Sequence, residues 1–415
     1  MNLKKFVAAG VATALVAGAV FALGATAEES GAAGTDASAE EAGSGRIALV
    51  TPNTSWEKWW AEYPDQVDSF FDGMDEVESD GKVHSHALLY ANVQNANGAS
   101  LAKFGTACAS CKSTMVTTLY DEMGVDAFSQ SWDEYGDQVD WWECALCHED
   151  GVPGAELTYG AAVANVFGTT LLDSVDPEEA ACGQCHNFMG ATYGRGVLMD
   201  KLQSGEVSVD DVDPYRYGVD PDSLMKAALE DGYEMPVDET TGIANFQANH
   251  PEVEVFQGSV HDSLGLTCVD CHMVEKTNAD GETYTSHNAS SSPLENEEAM
   301  EFCLTCHAAQ GIEDTDAMRQ FVLDAQEEVR DLETVFYDKQ AEAKSLIAAA
   351  TANGGVDEDV LQTARDTYTR ATWYVRYADG GSEVQGQKVA HNPDAIRDYI
   401  ERATVMMDEI IVSLQ

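Results

Sequence analysis

Five Cys-x-x-Cys pairs account for all 10 cysteines of the chain: Cys108/Cys111, Cys144/Cys147, Cys182/Cys185, Cys268/Cys271 and Cys303/Cys306. Four run directly into histidine, at His148, His186, His272 and His307, whereas the first runs into Lys112. Histidine supplies only 10 of 415 residues, so four such coincidences would arise by chance on the order of once in a million. Cys-x-x-Cys-His is the attachment signature of c-type haem, in which two thioethers hold the ring and the histidine ligates the iron. Zinc ribbons need cysteines in fours, and five pairs do not divide that way or explain the histidines. Disulfide staples suit an exported protein, but a chain this long can bury its own core without them. The motifs therefore predict five covalently attached haem c groups, four alike and one with Lys112 in the histidine's place. The fold class expected is mainly α: a multihaem cytochrome c with an irregular haem-packed core and a C-terminal bundle of long helices.

The segments around the motifs divide the chain. Residues 1–27 read as a signal peptide, with Lys4 and Lys5, an apolar run from Phe6 to Leu23 and Ala25-Thr26-Ala27 as the cleavage site. The haem region is thus expected outside the cytoplasm, in the periplasm or on the extracytoplasmic face of the membrane. Residues 28–46 are acidic, small and too poor in apolar area to fold, a disordered linker. Residues 47–310 form the expected pentahaem catalytic region, opening on the aromatic run Trp56 to Pro64, suited to packing on porphyrin. Residues 311–415 read as long helices. Phe321, Val322, Ala325, Val329, Leu332, Val335 and Phe336 recur at helical spacing, and Asn353-Gly354-Gly355 stops that helix. A second helix is expected over about 356–377. Asn392 caps a third, with Pro393 in its first turn and Ile396, Ile400, Met406, Ile410 and Leu414 on one face. Packing within the chain is the first use of these stripes, and a homodimer interface the second.

The formal charge is −51, and −53 once a 27-residue leader carrying two lysines is gone. Such a surface repels nucleic acid and anionic lipid, and an anionic substrate would need local positive groups. Outside the attachment motifs six histidines remain: His84, His86, His250, His261, His287 and His391. Low-spin haems take a second axial ligand, often histidine. Spacing alone does not choose among the six. Lysine binds iron only when neutral, so Lys112 must lose its proton to burial and the metal's charge. An iron with Lys112 on one side and no histidine on the other keeps an open position, which substrate binding needs.

One Cys-x-x-Cys-Lys followed by four Cys-x-x-Cys-His, in that order, resembles the ammonia-forming cytochrome c nitrite reductase family. The run His250-Pro251-Glu252-Val253-Glu254 to His261, ahead of Thr267-Cys268-Val269-Asp270-Cys271-His272, is similar to that family's His-Pro-Glu-x-Glu block. The resemblance covers roughly residues 55–415. It implies six-electron reduction of nitrite to ammonium at the Lys112 haem, with His250 as the active-site histidine. It also implies His86, His261, His287 and His391 as distal ligands of the Cys182/Cys185, Cys303/Cys306, Cys144/Cys147 and Cys268/Cys271 haems, leaving His84 over. A membrane-bound multihaem quinol dehydrogenase is the implied electron donor. The chain departs from the family where its catalytic arginine and tyrosine stand. Gly98 occupies the arginine position, and Phe188-Met189 replaces the Glu-Tyr pair after the third motif, with Tyr193 the nearest downstream phenol. Asn249 replaces a glutamine that binds calcium in the family, so calcium does not carry over with the resemblance. Lys103, Arg195 or Arg216 is expected to restore the positive charge. The same architecture could alternatively act on hydroxylamine or sulfite, or serve as a non-catalytic pentahaem electron carrier.

Overall fold

The computed structural model describes residues 55–71, 105–135, 143–194, 196–246, 250–289, 292–380 and 386–415. The leader, the acidic linker, His84, His86, Gly98, Lys103, Arg195 and Asn249 lie outside them. Helix dominates, and among the described residues the one sheet is a two-stranded hairpin. The helices that position the site are α1 (Pro177–Gly183), α2 (Glu252–Phe256), α3 (Cys268–His272), α4 (Glu297–His307), α5 (Thr315–Asn353), α6 (Glu358–Asp379) and α7 (Pro393–Leu414). The protein is thus mainly α, with short helices and irregular turns before residue 310 and long helices after it.

Local chemistry sets the ends of the long helices. Asp314 accepts from the Ala317 amide at 2.8 Å to start α5, and Gly354 closes it at φ 67°. Asp357 caps α6. Asn392 caps α7 through the Ala395 amide at 3.3 Å, with proline at the first helical position. The stop at Gly354 and the cap at Asn392 are those the sequence predicts, and Asp314 and Asp357 meet the same need, since orphan amides at a helix start require a side-chain acceptor.

The inner stripes are partly as expected. Val329, Phe336, Ala343 and Ile347 of α5 meet Leu361, Ala364 and Ala371 of α6 and Ile396, Ile400, Ala403, Met407 and Ile410 of α7. Two expected core positions fall elsewhere, because Phe321 is 45% exposed and Val335 is 49% exposed. Val335 follows Thr334 on the outer flank, and the inner flank is taken by Glu333, which is fully buried. On α7 the core residue is Met407, with its neighbour Met406 only half-buried.

Helix α6 also fastens the bundle to the haem-motif region. Trp373 Nε1 donates to the Pro221 carbonyl at 2.7 Å and the Tyr377 hydroxyl to the Val219 carbonyl at 2.7 Å. The antiparallel hairpin β1 (Glu275–Thr277) and β2 (Thr283–Thr285) follows α3, pairing Lys276 with Tyr284. Near the start of the described chain, Trp59 and Val67 form a small cluster with Tyr63 and Cys144, so the aromatic run packs beside the second motif.

Candidate haem centres and the cluster around His250

Each attachment motif lies on a helical turn, which puts cysteines three residues apart on one side. Cys268–His272 is itself a helix, α3, opened by a capping box between Thr267 and Asp270. Cys303, Cys306 and His307 end α4, and Cys182 lies in α1. All ten cysteines are free thiols, half-buried except for the exposed Cys306. Neighbouring motifs touch. The Cys185 thiol donates to the Cys111 carbonyl at 2.6 Å, and a hydrogen bond with Cys268 together with burial pushes the Cys182 thiol well up. Helix α3 packs on both α1 and α4.

Three pairs of imidazoles face one another across these motifs. His148 and His287 have ring centroids 6.4 Å apart, His261 and His307 6.4 Å, and His272 and His391 6.3 Å. Two imidazoles bound to opposite sides of one metal at about 2.0 Å would place their centroids roughly 6.3 Å apart. The residues therefore fit a six-coordinate haem iron at each of three centres. The hydrogen bonds fit as well. His261 Nδ1 lies 3.1 Å from the Ala390 carbonyl and His287 Nδ1 3.0 Å from the Thr285 carbonyl on β2. A donor role at Nδ1 leaves Nε2 as the free ligand atom. Burial holds His272 down at about 4 and His391 at about 3, so both are neutral imidazoles at ordinary pH. His86, expected opposite His186, lies outside the described residues.

The first motif differs. Lys112 follows the short helix Gly105–Ala109 and donates from Nζ to the Cys108 carbonyl at 3.3 Å. The first motif meets the third through the contact between Cys111 and Cys185.

His250 also lies against that third motif. Its ring meets His186 edge-on, at 5.7 Å and 83°. His250 has φ 59°, one of two positive values among the described non-glycine residues, and its amide donates to the Gly380 carbonyl at 3.3 Å. A non-glycine residue held in that region costs on the order of 1–3 kcal/mol and persists only where its surroundings impose it. The surroundings here are α2. The Val253 amide donates to the His186 carbonyl at 3.1 Å, and Gly183 leaves no room for a Cβ against Val253. Glu254 is fully buried, accepting from the Phe188 amide at 3.0 Å and the Tyr215 hydroxyl at 2.7 Å, and burial pushes it up to about 8. Glu252, nine-tenths buried, stands between the two imidazoles: its carboxylate is 3.6 Å from His186 Nδ1 and 3.6 Å from His250 Nδ1. Lys388 Nζ reaches the same carboxylate at 2.9 Å. Burial alone would raise Glu252, but His186, His250 and Lys388 outweigh it and hold the carboxyl well below its usual range.

Arg216, expected as a source of positive charge, and Tyr193, the nearest phenol after the third motif, are both engaged by Asp231. Arg216 binds Asp231 at 2.9 Å and Glu230 at 3.4 Å and donates to the Ala227 carbonyl. It therefore does not supply the positive charge expected of it. Tyr193 is fully buried and donates to Asp231 at 3.0 Å. Lys388 and Glu252 are the residues that sequence reasoning missed. Glu252 was visible inside the His-Pro-Glu-x-Glu block, but Lys388 carries no local signal.

A family model described as Cytochrome c552 matches residues 81–414. A solved structure, the catalytic subunit of cytochrome c nitrite reductase from Desulfovibrio desulfuricans, is similar with a TM-score of 0.67 at 18% identity. The alignment covers 87% of this chain and 86% of that one. At that identity the likeness speaks to the fold, a mainly α multihaem cytochrome.

Proposed function

Because the chain belongs to the cytochrome c552 family, we propose that it is an ammonia-forming nitrite reductase, taking nitrite to ammonium with six electrons. The family carries covalently bound c-type haem, and the five attachment motifs support five groups here. His148 with His287, His272 with His391 and His307 with His261 would hold three of them, His186 with His86 a fourth, and Lys112 the fifth. When bound, these haems would supply electrons and, at the Lys112 centre, an open iron position for nitrite.

The protein's own part is to bind and protonate an anion. His250 stands beside His186, its ring set by the left-handed turn at φ 59°. A protonated imidazole there would hydrogen-bond the nitrite oxygens and give up a proton as water leaves, electrostatic stabilisation joined to general acid catalysis. Histidine suits this because its charge changes near neutral pH. The contacts of Cys111 with Cys185 and of His250 with His186, adjacent residues of the third motif, support His250 and Lys112 as parts of one site.

Further expectations follow the same reading: export to the periplasm, electrons from a membrane-bound multihaem quinol dehydrogenase, and a homodimer through α5 to α7. The exposed Val405 and Val412 on α7 support a second copy there. No described helix is long and apolar enough to cross a membrane.

The observation that carries the proposal is the contrast between three imidazole pairs at bis-histidine spacing and the first motif, which ends in lysine. The test is ammonium formed per nitrite consumed by the purified, haem-loaded protein with a reduced dye as donor. One ammonium per nitrite is expected. Turnover of hydroxylamine or sulfite without nitrite, or a purely low-spin spectrum, would overturn it.

A further inference from the structure

The cluster around His250 contains a residue pair to which the reaction so far gives no role. We propose that Glu252 and Lys388 form a positioning pair serving two imidazoles at once, orienting His250 for substrate and His186 for its haem. The inference rests on the reading of His250 as the acid and His186 as a haem ligand.

The geometry is built for this role. A carboxylate equidistant from two Nδ1 atoms favours the proton on Nδ1 in both rings, leaving Nε2 of each as the nitrogen open to a partner. At 3.6 Å these contacts are longer than ordinary hydrogen bonds and act electrostatically. A buried carboxylate between two rings needs a fixed counter-charge, and Lys388 supplies it at 2.9 Å. The backbone makes room. A Cβ at Gly380 would come within 3.0 Å of Glu252 Oε1 and 3.3 Å of Lys388 Cε. The same glycine's carbonyl accepts from the His250 amide and so holds the left-handed turn. An ion pair that served packing alone would need neither the glycine nor the strained histidine.

A different occupant is conceivable, since His186, His250 and Glu252 offer three ligand atoms within 4.8 Å of one another. The Lys388 ammonium already sits on that carboxylate, and a metal cation would have to displace it against like charge. The cluster is therefore assigned to Lys388.

One carboxylate shared by an active-site acid and the ligand of a neighbouring haem ties two properties together. Its negative charge disfavours reduction at the His186 haem, and its position sets the nitrogen that His250 presents. Lys388 tempers both.

The test is a charge cycle on the haem-loaded full chain, read by spectropotentiometric titration as well as by turnover. Glu252→Gln should raise the midpoint potential of the His186 haem by about tenfold in the oxidised-to-reduced ratio, ~59 mV for one electron, with a smaller rise at the His272 and His391 centre, which also feels Glu252 and Lys388, and leave the rest in place. It should also lower kcat by about 10- to 100-fold, as loss of a ligand-orienting partner does, with haem content unchanged. Lys388→Arg keeps the positive charge and should hold the midpoint potential of the His186 haem near the wild-type value. Adding Lys388→Met to Glu252→Gln should return the potential toward the wild-type value, because the double change removes no net charge. An unmoved potential in Glu252→Gln would overturn the proposal. So would a double variant no nearer to wild type than the single one, or a non-haem metal that Glu252→Gln releases. Failure of the nitrite reading is separate: a wild-type protein inert to nitrite whose potentials still follow the cycle would keep the pair and lose the substrate.

Discussion

The chain before residue 310 and the chain after it solve the same problem by different means. In the bundle of α5, α6 and α7, apolar side chains a few turns long meet one another, and the large core residues are almost wholly enclosed. In the haem-motif region the helices are short, several no longer than a turn or two, and nine of the ten cysteines remain only half-buried. Protein atoms complete the first interior. The second is shaped around groups the polypeptide attaches, and its imidazoles stand apart at the spacing of an intervening metal. Cohesion in the bundle should therefore respond to side-chain volume, and cohesion around the motifs to ligand chemistry.

The strongest way to break that contrast is Phe336→Ala. Phe336 is fully buried at the centre of α5, and its removal should cost about 3–5 kcal/mol through lost transfer energy and a residual cavity. Denaturant unfolding followed by helix signal measures it. The haem potentials should stay where they are. A shift in those potentials as large as the stability loss would mean that the two regions are not distinct in kind.

The converse change is His250→Ala. It leaves the bundle untouched and removes one donor at the site, so kcat should fall by about 10²–10³ while the unfolding midpoint barely moves. If nitrite turnover is unchanged, His250 is not the acid. Relief of its positive φ is not expected, because alanine is strained there too.

How much of this could be read from the chain depends on how local each signal is. The attachment motifs, the Asn392 cap and the Gly354 stop are contiguous signals and were legible outright. The facing of His261 with His307 and of His287 with His148 followed from resemblance, since spacing left the six free histidines equivalent. The outward placement of Phe321 was not legible. Its ring lies 5.5 Å from His307, beside a motif whose neighbours periodicity does not describe. Glu333, the most hidden charge in α5, reads as a surface glutamate in any helical wheel. Lys388 meets Glu252 only through the turn after α6, a pairing set by tertiary structure. Arg216, one of the cations expected near the chemistry, stands elsewhere for the same reason, its guanidinium being held by Asp231.

Glu333 offers a subtler test, through pH. Burial, with the charge of Asp379 second, pushes it up to about 8. A carboxyl raised above its unfolded value of about 4.3 gives its full stabilisation below that value and loses it as pH rises through about 8. Glu333→Gln should thus gain stability over wild type at pH 9 by on the order of 1–3 kcal/mol, and little at pH 4. Unfolding curves at the two pH values check the sign. Glu254, pushed up to about 8 in the haem-motif region, sharpens the comparison. Glu254→Gln should move the unfolding curve in the same direction and, unlike Glu333→Gln, should also alter turnover, because Glu254 holds the Phe188 amide two residues beyond His186.

The smallest effect is expected at the seam. Asn392 belongs to both regions: its Oδ1 caps α7, and its Nδ2 donates to the Val255 carbonyl of α2 at 2.9 Å. It directly follows His391, whose ring faces His272. Asn392→Ala removes the cap and the tie and should cost about 0.5–2 kcal/mol. Asn392→Asp keeps a cap acceptor, places a negative charge at a helix start where it is favourable, and turns the donation to Val255 into a repulsion between two acceptor oxygens. If the bundle holds His391 through its own helix start, the aspartate variant should keep the wild-type low-spin spectrum. If α2 holds it instead, both variants should perturb that spectrum equally, whatever their stability. Spectral change in the alanine variant alone would place His391 with the bundle, making the long helices the part of the protein that positions this fourth centre.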